Sequence, residues 1–453
     1  MFDFLNNLFP NYLFSNKMVE IETLDDILKK GPKNDYNKFF DFLKTNHNSE
    51  FFVYTSIFCK KRYEKYKTDF LEKINKKSLT NLEKACIGSM LGMAIGDAIG
   101  ARVEFLPLKY EYKDNEEKLK DMGKSSAGKF HLKPGQWTDD TSMGLCLADS
   151  LIENDGNFDP KDIMMRFILW WKYGYNNAFR YDEDRYNKHS VGLGGNISGS
   201  IQNYIMEKGK NHYTIYGDRN TSGNGSIMRN GAIPICYFRN KNEALENAIF
   251  QSYITHQGDE AAGCCQLLTF IIVKIINLKI RESSNEENNT NNISNKIVEE
   301  KNIRVEILDN LKEFKCKVKS VNLLAQSIGE KNDKNRNWNW KEDNFKYSEE
   351  RAKRQPGYIG SYCMDGLAMA LHVLYTTNNF KEAILKAVNY RGDADSLGSI
   401  VGQIAGAYYG LDAIPEDWKK TIKQWDNYEI GLRGYILCHL KEKNDKKELN
   451  PNR

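Results

Sequence analysis

The chain has 453 residues, 40% of them hydrophobic and 28% charged, with a net charge of +4. That composition suits a soluble globular protein with a sizeable core and excludes a disordered chain. A positive excess so small on this length argues against a dedicated nucleic-acid binder. The nine cysteines are scattered and form no Cys-x-x-Cys pair. This argues against a disulfide framework or a zinc site and implies reduced thiols in a cytoplasmic setting.

Residues 1–80 are rich in Lys, Asn, Phe and Tyr, with apolar clusters at Phe39-Phe40, Phe42-Leu43, 51–54 and Ile57-Phe58. The spacing predicts about three or four short helices. Residues 1–14 are apolar and aromatic but carry Asp3 and no early Lys or Arg, so the opening of a secretory signal is missing. No chemical motif occurs in this N-terminal extension. It is expected to cover one side of the main domain or to dock a partner.

The character changes near Leu82. Gly88, Gly92, Gly96 and Gly100 fall four apart in an apolar run. On a helix they form one smooth stripe that admits the close approach of another backbone. Further helical patterns run through 143–152, 160–171, 243–254, 261–280, 366–376 and 380–389. The most apolar, 267–280, is short and interrupted by Lys274 and Lys279, so a buried helix is expected rather than a membrane span.

Residues 282–295 are nearly all Ser, Asn, Glu and Thr and cannot bury enough surface to fold alone. A looser polar region continues to about Lys353. The expectation is a low-complexity insertion at about 281–353, with Trp338 and Trp340 available to anchor part of it. A second small-residue helix holds Gly398, Ser399, Gly402, Ala405 and Gly406, and Pro415 ends it. Every glycine there lowers helix propensity, which is tolerable only in a central, closely packed position. Convincing strands are scarce. The reading is an all-α main domain over 81–440, preceded by the 1–80 extension and followed by a polar tail at 441–453.

Two acidic knots carry the chemistry. The first is Trp137-Thr138-Asp139-Asp140-Thr141; the second is Arg391-Gly392-Asp393-Ala394-Asp395-Ser396. Each opens a helical segment, so helix capping accounts for one residue in each. Three consecutive ligand-type residues exceed what a cap needs. Adjacent carboxylates repel, and burying them together requires compensating positive charge. A hard divalent cation such as Mg²⁺, Mn²⁺ or Ca²⁺ is the natural partner for so many oxygens. Arg391 could neutralise the second knot or contact a substrate phosphate, structural charge balance being the plainer role.

Softer features accompany them. Glu104 ends the glycine-striped helix, where a solvated residue is the plainer reading and an acid or base the sharper one. Asn224-Gly225-Ser226-Ile227-Met228-Arg229 is a glycine-rich loop without a P-loop lysine. Thr255-His256 opens a long buried helix, and 191–196 reads as a flexible turn.

Taken in order, Gly96-Asp97-Ala98-Ile99-Gly100 with Glu104, Thr138-Asp139-Asp140-Thr141, the Asn224 loop, Thr255-His256 and Gly392-Asp393-Ala394-Asp395-Ser396 resemble the ADP-ribosylglycohydrolase family. The resemblance covers roughly residues 82–440, less the insertion. It implies a compact orthogonal bundle of α-helices with a binuclear Mg²⁺ or Mn²⁺ site. Thr138, Asp139, Asp140, Asp393, Asp395 and Ser396 would be its metal ligands. Glu104, Asp139 and Asp140 would be the catalytic carboxylates, while Asn224, Gly225, Ser226 and His256 would line the ADP-ribose pocket. The implied activity is hydrolysis of the glycosidic bond between ADP-ribose and a modified protein side chain or related conjugate. A catalytically inactive ADP-ribose-binding homologue is the alternative, and a metal-dependent phosphoesterase a more distant one. The chain departs from the family pattern in having Ser396 where Thr is common, and Ser190-Val191 where an Asp often stands before Gly192.

Overall fold

The structure is a computed structural model that describes residues 61–114, 116–216, 222–288 and 302–441. The helices expected within 1–60 lie outside the described residues, as do residues 289–295 of the polar segment and the tail from 442. Among the described residues the architecture is all-α, with no strand beyond two isolated bridges.

Besides short helical turns between 303 and 354, the helices are α1 (Lys61–Lys76), α2 (Asn81–Gly100), α3 (Asp139–Glu153), α4 (Pro160–Tyr173), α5 (Gly195–Met206), α6 (Ala232–Tyr237) and α7 (Lys241–Tyr253). They continue as α8 (Asp259–Asn288), α9 (Cys363–Tyr375), α10 (Phe380–Val388), α11 (Ala394–Tyr409), α12 (Glu416–Asp426) and α13 (Glu429–His439). Local signals set several ends. Thr80 and Glu83 form a capping box ahead of α2. Asp159 caps α4, Pro160 fills its first turn, and Gly174 closes it in the left-handed region at φ 77°.

The two glycine stripes are each other's partner. A Cβ on Gly88 would stand 2.3 Å from Gly406 O, on Gly92 2.1 Å from Gly402 O, and on Gly96 1.9 Å from Gly398 O. The pairing runs in opposite directions along the two helices, so α2 and α11 pack antiparallel, backbone against backbone. This register brings the C-terminal end of α2 beside the N-terminal end of α11, where Gly100 meets Ala394 O. The second acidic knot is thereby set next to Asp97 and Glu104.

Helix α8 is longer than the expected 261–280. Over Asp259–Ser283 it is apolar enough to cross a membrane by length and composition, but most of that stretch is buried within the fold. The expected polar insertion is anchored over its described part. From Ile303 onwards it packs into the body: Ile303, Leu308, Leu311, Val321 and Leu324 are buried. Trp338 and Trp340 are sealed, the Trp340 indole donating to Leu324 O at 2.6 Å. Apolar residues spaced irregularly through short helices carry no clear period, so their burial did not show in the pattern. The end of the extension joins the same body, for Phe70 of α1 packs against Tyr435 of α13 at 5.5 Å between ring centres.

Candidate metal centre

Three helix ends meet at one place: the C-terminal end of α2, and the N-terminal ends of α3 and α11. Thr138 stands at the cap position of α3 and Asp393 at that of α11, yet neither side chain caps its helix. Elsewhere in the fold the cap side chains of Thr80, Asp159, Asn240 and Asn379 do bond to their helix N–H groups. The side chains of the two knots are diverted from capping to face one another.

Asp97 organises the first knot. Its carboxylate accepts from Thr138 N–H at 3.0 Å, Thr138 Oγ1 at 2.8 Å, Thr141 N–H at 3.0 Å and Thr141 Oγ1 at 2.6 Å. Those donors occupy the carboxylate and make Asp97 a positioning residue. The Thr138 hydroxyl has one proton, which goes to Asp97 as the nearest acceptor. The same Thr138 Oγ1 also stands 3.4 Å from Asp140 Oδ2 and 3.4 Å from Asp395 Oδ2. Oxygen therefore faces oxygen across the junction of the knots.

Carboxylate oxygens of Asp97, Asp140 and Asp395 lie within 4.8 Å of one another, and so do those of Glu104, Asp393 and Asp395. Asp395 belongs to both groups. Asp140 Oδ1 and Glu104 Oε2 are buried without a hydrogen-bond partner. None of the six carboxylates, Asp97 included, forms an ion pair among the described residues. Burial pushes Asp139, Asp140 and Asp395 well above the ordinary range, with neighbouring carboxylates adding to it. Burial likewise lifts Glu104 to about 8, aided by Asp393. Unpaired buried charges cost several kcal/mol each, so this donor set fits a hard cation. Oxygen ligands about 2.0–2.1 Å from Mg²⁺ in octahedral geometry stand roughly 3 Å from their neighbours. The spacing around Thr138 Oγ1 is close to that.

The remaining site residues divide. The Asn224 amide donates to Asp393 Oδ2 at 3.0 Å and to Gly360 O at 3.1 Å, so the glycine-rich loop is tied directly to the second knot. A Cβ on Gly225 would stand 2.8 Å from the ring of His256, which places that ring against the loop. His256 Nδ1 pairs with Thr255 Oγ1 at 2.8 Å, and Arg229 donates to the same hydroxyl. Burial, with Arg229 nearby, holds the ring neutral by lowering its pKa to about 3. Ser396 is buried at the start of α11, its N–H donating to Asp395 Oδ1 at 3.0 Å.

Two of the residues singled out in the sequence face away from the carboxylates or engage other partners. Ser226 has no accessible surface, and its hydroxyl accepts from Ser252 Oγ at 2.8 Å. Cys265 Sγ stands 3.5 Å from the same hydroxyl, so Ser226 is held among interior side chains. Arg391 forms no ion pair with the carboxylates. Its left-handed backbone, φ 64°, directs the guanidinium over the Tyr112 ring at 5.3 Å.

Sequence reasoning overlooked two residues. Asp97 enters the sequence reading only as part of the Gly96–Gly100 motif, with no role of its own. Its signal was available: it is the one charge in the apolar stretch between Lys84 and Arg102. Gly192 was assigned to a flexible turn, but a Cβ there would stand 2.0 Å from Asp139 Oδ1, and its φ is 93°. The backbone must pass this close to the carboxylate, which only glycine permits. Ser190, where the family often has Asp, is buried and donates to Trp170 O at 2.5 Å. Gly195 then opens α5 instead of continuing a turn.

The helix ends of this all-α body gather buried carboxylates into a donor set suited to a hard cation. The family model for ADP-ribosylglycohydrolase matches residues 78–445, and the chain belongs to that family. It is 31% identical over 350 residues to an ADP-ribosylarginine hydrolase Tri1 of Serratia proteamaculans, covering 76% of each chain. It is 26% identical to an ADP-ribosyl-[dinitrogen reductase] glycohydrolase of Rhodospirillum rubrum, covering 76% of this chain and 92% of that one. Human ADP-ribosylhydrolase ARH3 shares 20% over 76% of this chain and 90% of its own. A solved ADP-ribosylglycohydrolase-related protein complex superposes with a TM-score of 0.54 at 26% identity, over 80% of this chain and 99% of that chain.

Proposed function

We infer that this protein is a metal-dependent hydrolase that cleaves the glycosidic bond between ADP-ribose and a modified protein side chain. The observation that carries the reading is the approach of Thr138 Oγ1 to both Asp140 and Asp395 inside a buried carboxylate cluster without cationic partners. Relatives named for release of ADP-ribose from proteins support the substrate class.

Thr138, Asp139, Asp140, Asp393, Asp395 and Ser396 would hold two divalent cations, Mg²⁺ or Mn²⁺. Asp395 belongs to both carboxylate groups, so it would help to hold the ions from either side of the cluster. When bound, such ions supply the positive charge that fixes ribose hydroxyls and brings a water's pKa towards neutrality. Asp97 holds Thr138 and Thr141 in place, and Asn224 holds Asp393. Glu104, Asp139 or Asp140 accepts the proton of the attacking water. The surrounding carboxylates stabilise positive charge developing on the sugar ring. Water adds across the anomeric bond, giving free ADP-ribose and the unmodified side chain. His256, held neutral, can offer a hydrogen bond beside the Asn224 loop without carrying charge.

Arginine is the first acceptor linkage to test. The two relatives named for it share 30% and 31% identity with this chain, against 20–21% for those named ARH3. Proteins ADP-ribosylated on arginine or on serine are incubated with the purified chain and Mg²⁺ or Mn²⁺, with a chelator control. Release of free ADP-ribose that stops with the chelator is the expected result. Binding without release would mark a non-catalytic binder, and release of AMP would mark a phosphoesterase.

A further inference from the structure

A groove of about 520 Å³ lies on the face formed by α1, α2 and α12, outside the carboxylate cluster. Phe70, Ile87, Leu91 and Ile422 give it an apolar floor. Lysines form its rim. Three of them are neutralised locally: Lys73 by Glu83 at 2.7 Å, Lys84 by Asp412 at 2.7 Å and Lys419 by Glu416 at 3.0 Å. Lys77 and Lys420 are exposed and form no ion pair among the described residues. Lys423 stands over the Tyr428 ring at 4.1 Å. An apolar trough with surplus positive charge fits an apolar segment bearing carboxylates.

We propose that this groove is the docking site of residues 19–28 of the same chain. That stretch reads Val-Glu-Ile-Glu-Thr-Leu-Asp-Asp-Ile-Leu, with five apolar residues, four carboxylates and no Lys or Arg. Ile21, Leu24 and Leu28 recur at the spacing of one helix face. Charge decides against the other apolar stretch of the extension: residues 39–59 hold Asp41 and Glu50 against Lys44, a net charge of −1. The chain also arrives at the right place. Residues 1–60 lead into α1, and Phe70, Lys73 and Ile74 of α1 form one wall of the groove. Thirty-three positions separate residue 28 from residue 61, a length that would reach about 50 Å even if wholly helical at 1.5 Å per residue. That exceeds the length of α1, about 24 Å at 1.5 Å per residue. Tethering so close raises the effective concentration to about the millimolar range, so modest contacts suffice for docking.

The test uses the full-length chain with the photoreactive residue p-benzoylphenylalanine at Leu91, and in a second variant at Ile74. Thermal melting first verifies that each variant is folded. Irradiation is expected to give an intramolecular cross-link to a peptide within 19–28, at the mass of one chain. The double reversal K77E/K420E should lower its yield about tenfold, and adding D25K/D26K should restore it. A cross-link to residues 39–59, a product at twice the mass, no cross-link to the extension from either position, or a yield indifferent to the reversals would each overturn the proposal.

Discussion

Thr138 Oγ1 stands 3.4 Å from Asp395 Oδ2, across 257 residues of chain. The contact exists because Asp97 pulls Thr138 inward while the α2–α11 glycine packing delivers Asp395 to the same point. Loop-closure entropy over such a separation is moderate, since it grows only with the logarithm of loop length. The larger cost is assembling carboxylates that repel.

Replacing both Asp139 and Asp140 with Asn should remove two of the six proposed cation ligands at one stroke. Hydrolysis of ADP-ribosylated protein is expected to fall at least about 100-fold, with an unchanged far-ultraviolet circular dichroism spectrum. Full activity in a folded double variant would end the assignment.

Asp97→Asn tests positioning apart from ligation. The amide preserves size but offers two donors where the carboxylate only accepts, so Thr138 and Thr141 lose part of their anchor. Titration calorimetry with Mn²⁺ should show affinity reduced about 10- to 100-fold. Unaltered affinity would assign Asp97 to packing alone.

Chelation should reveal a pH-dependent weakness. The folded-state pKa of Glu104, about 8, lies above its ordinary value. Its protonated form therefore contributes stability that is present at low pH and lost as pH rises through about 8. Metal-free protein should melt at a lower temperature at pH 9 than at pH 6, and Mg²⁺ should raise the melting temperature more at pH 9. An equal Mg²⁺ effect at both values would contradict the site's assignment.

The glycine contacts set a steric limit. Gly92→Ala would place its methyl 2.1 Å from Gly402 O. Both neighbours are helix backbone, so relief requires moving α2 away from α11, at a cost of about 3 kcal/mol or more. Gly195→Ala has open space around the new methyl, and its effect should stay within about 0.5 kcal/mol. Urea melts of the two variants compare them directly.

Both knots and both small-residue stripes were legible in the sequence because each is local and compositionally unusual. Their mutual pairing was not, since one stripe reveals only that some backbone comes close. Asp97 was hidden by its setting among glycines that have a sufficient packing explanation. Gly192 was hidden because its role depends on Asp139, a residue brought near only by the fold. Helices α12 and α13 went unnamed because their apolar positions are interleaved with charge in α12 and with glycine in α13. Residues 302–353 looked polar by composition, yet a few aromatic and aliphatic side chains bind that segment to the core.

The stripe joining α2 to α11 gives this protein a shared point of failure. Prising those helices apart would separate Asp97 from Asp395 and scatter the clustered carboxylate oxygens. Conversely, an ion seated there would act as a rivet across the seam between them. Loss of ions and loss of tertiary structure should therefore arrive as one cooperative event, and a chelator should behave towards this chain as a mild denaturant does.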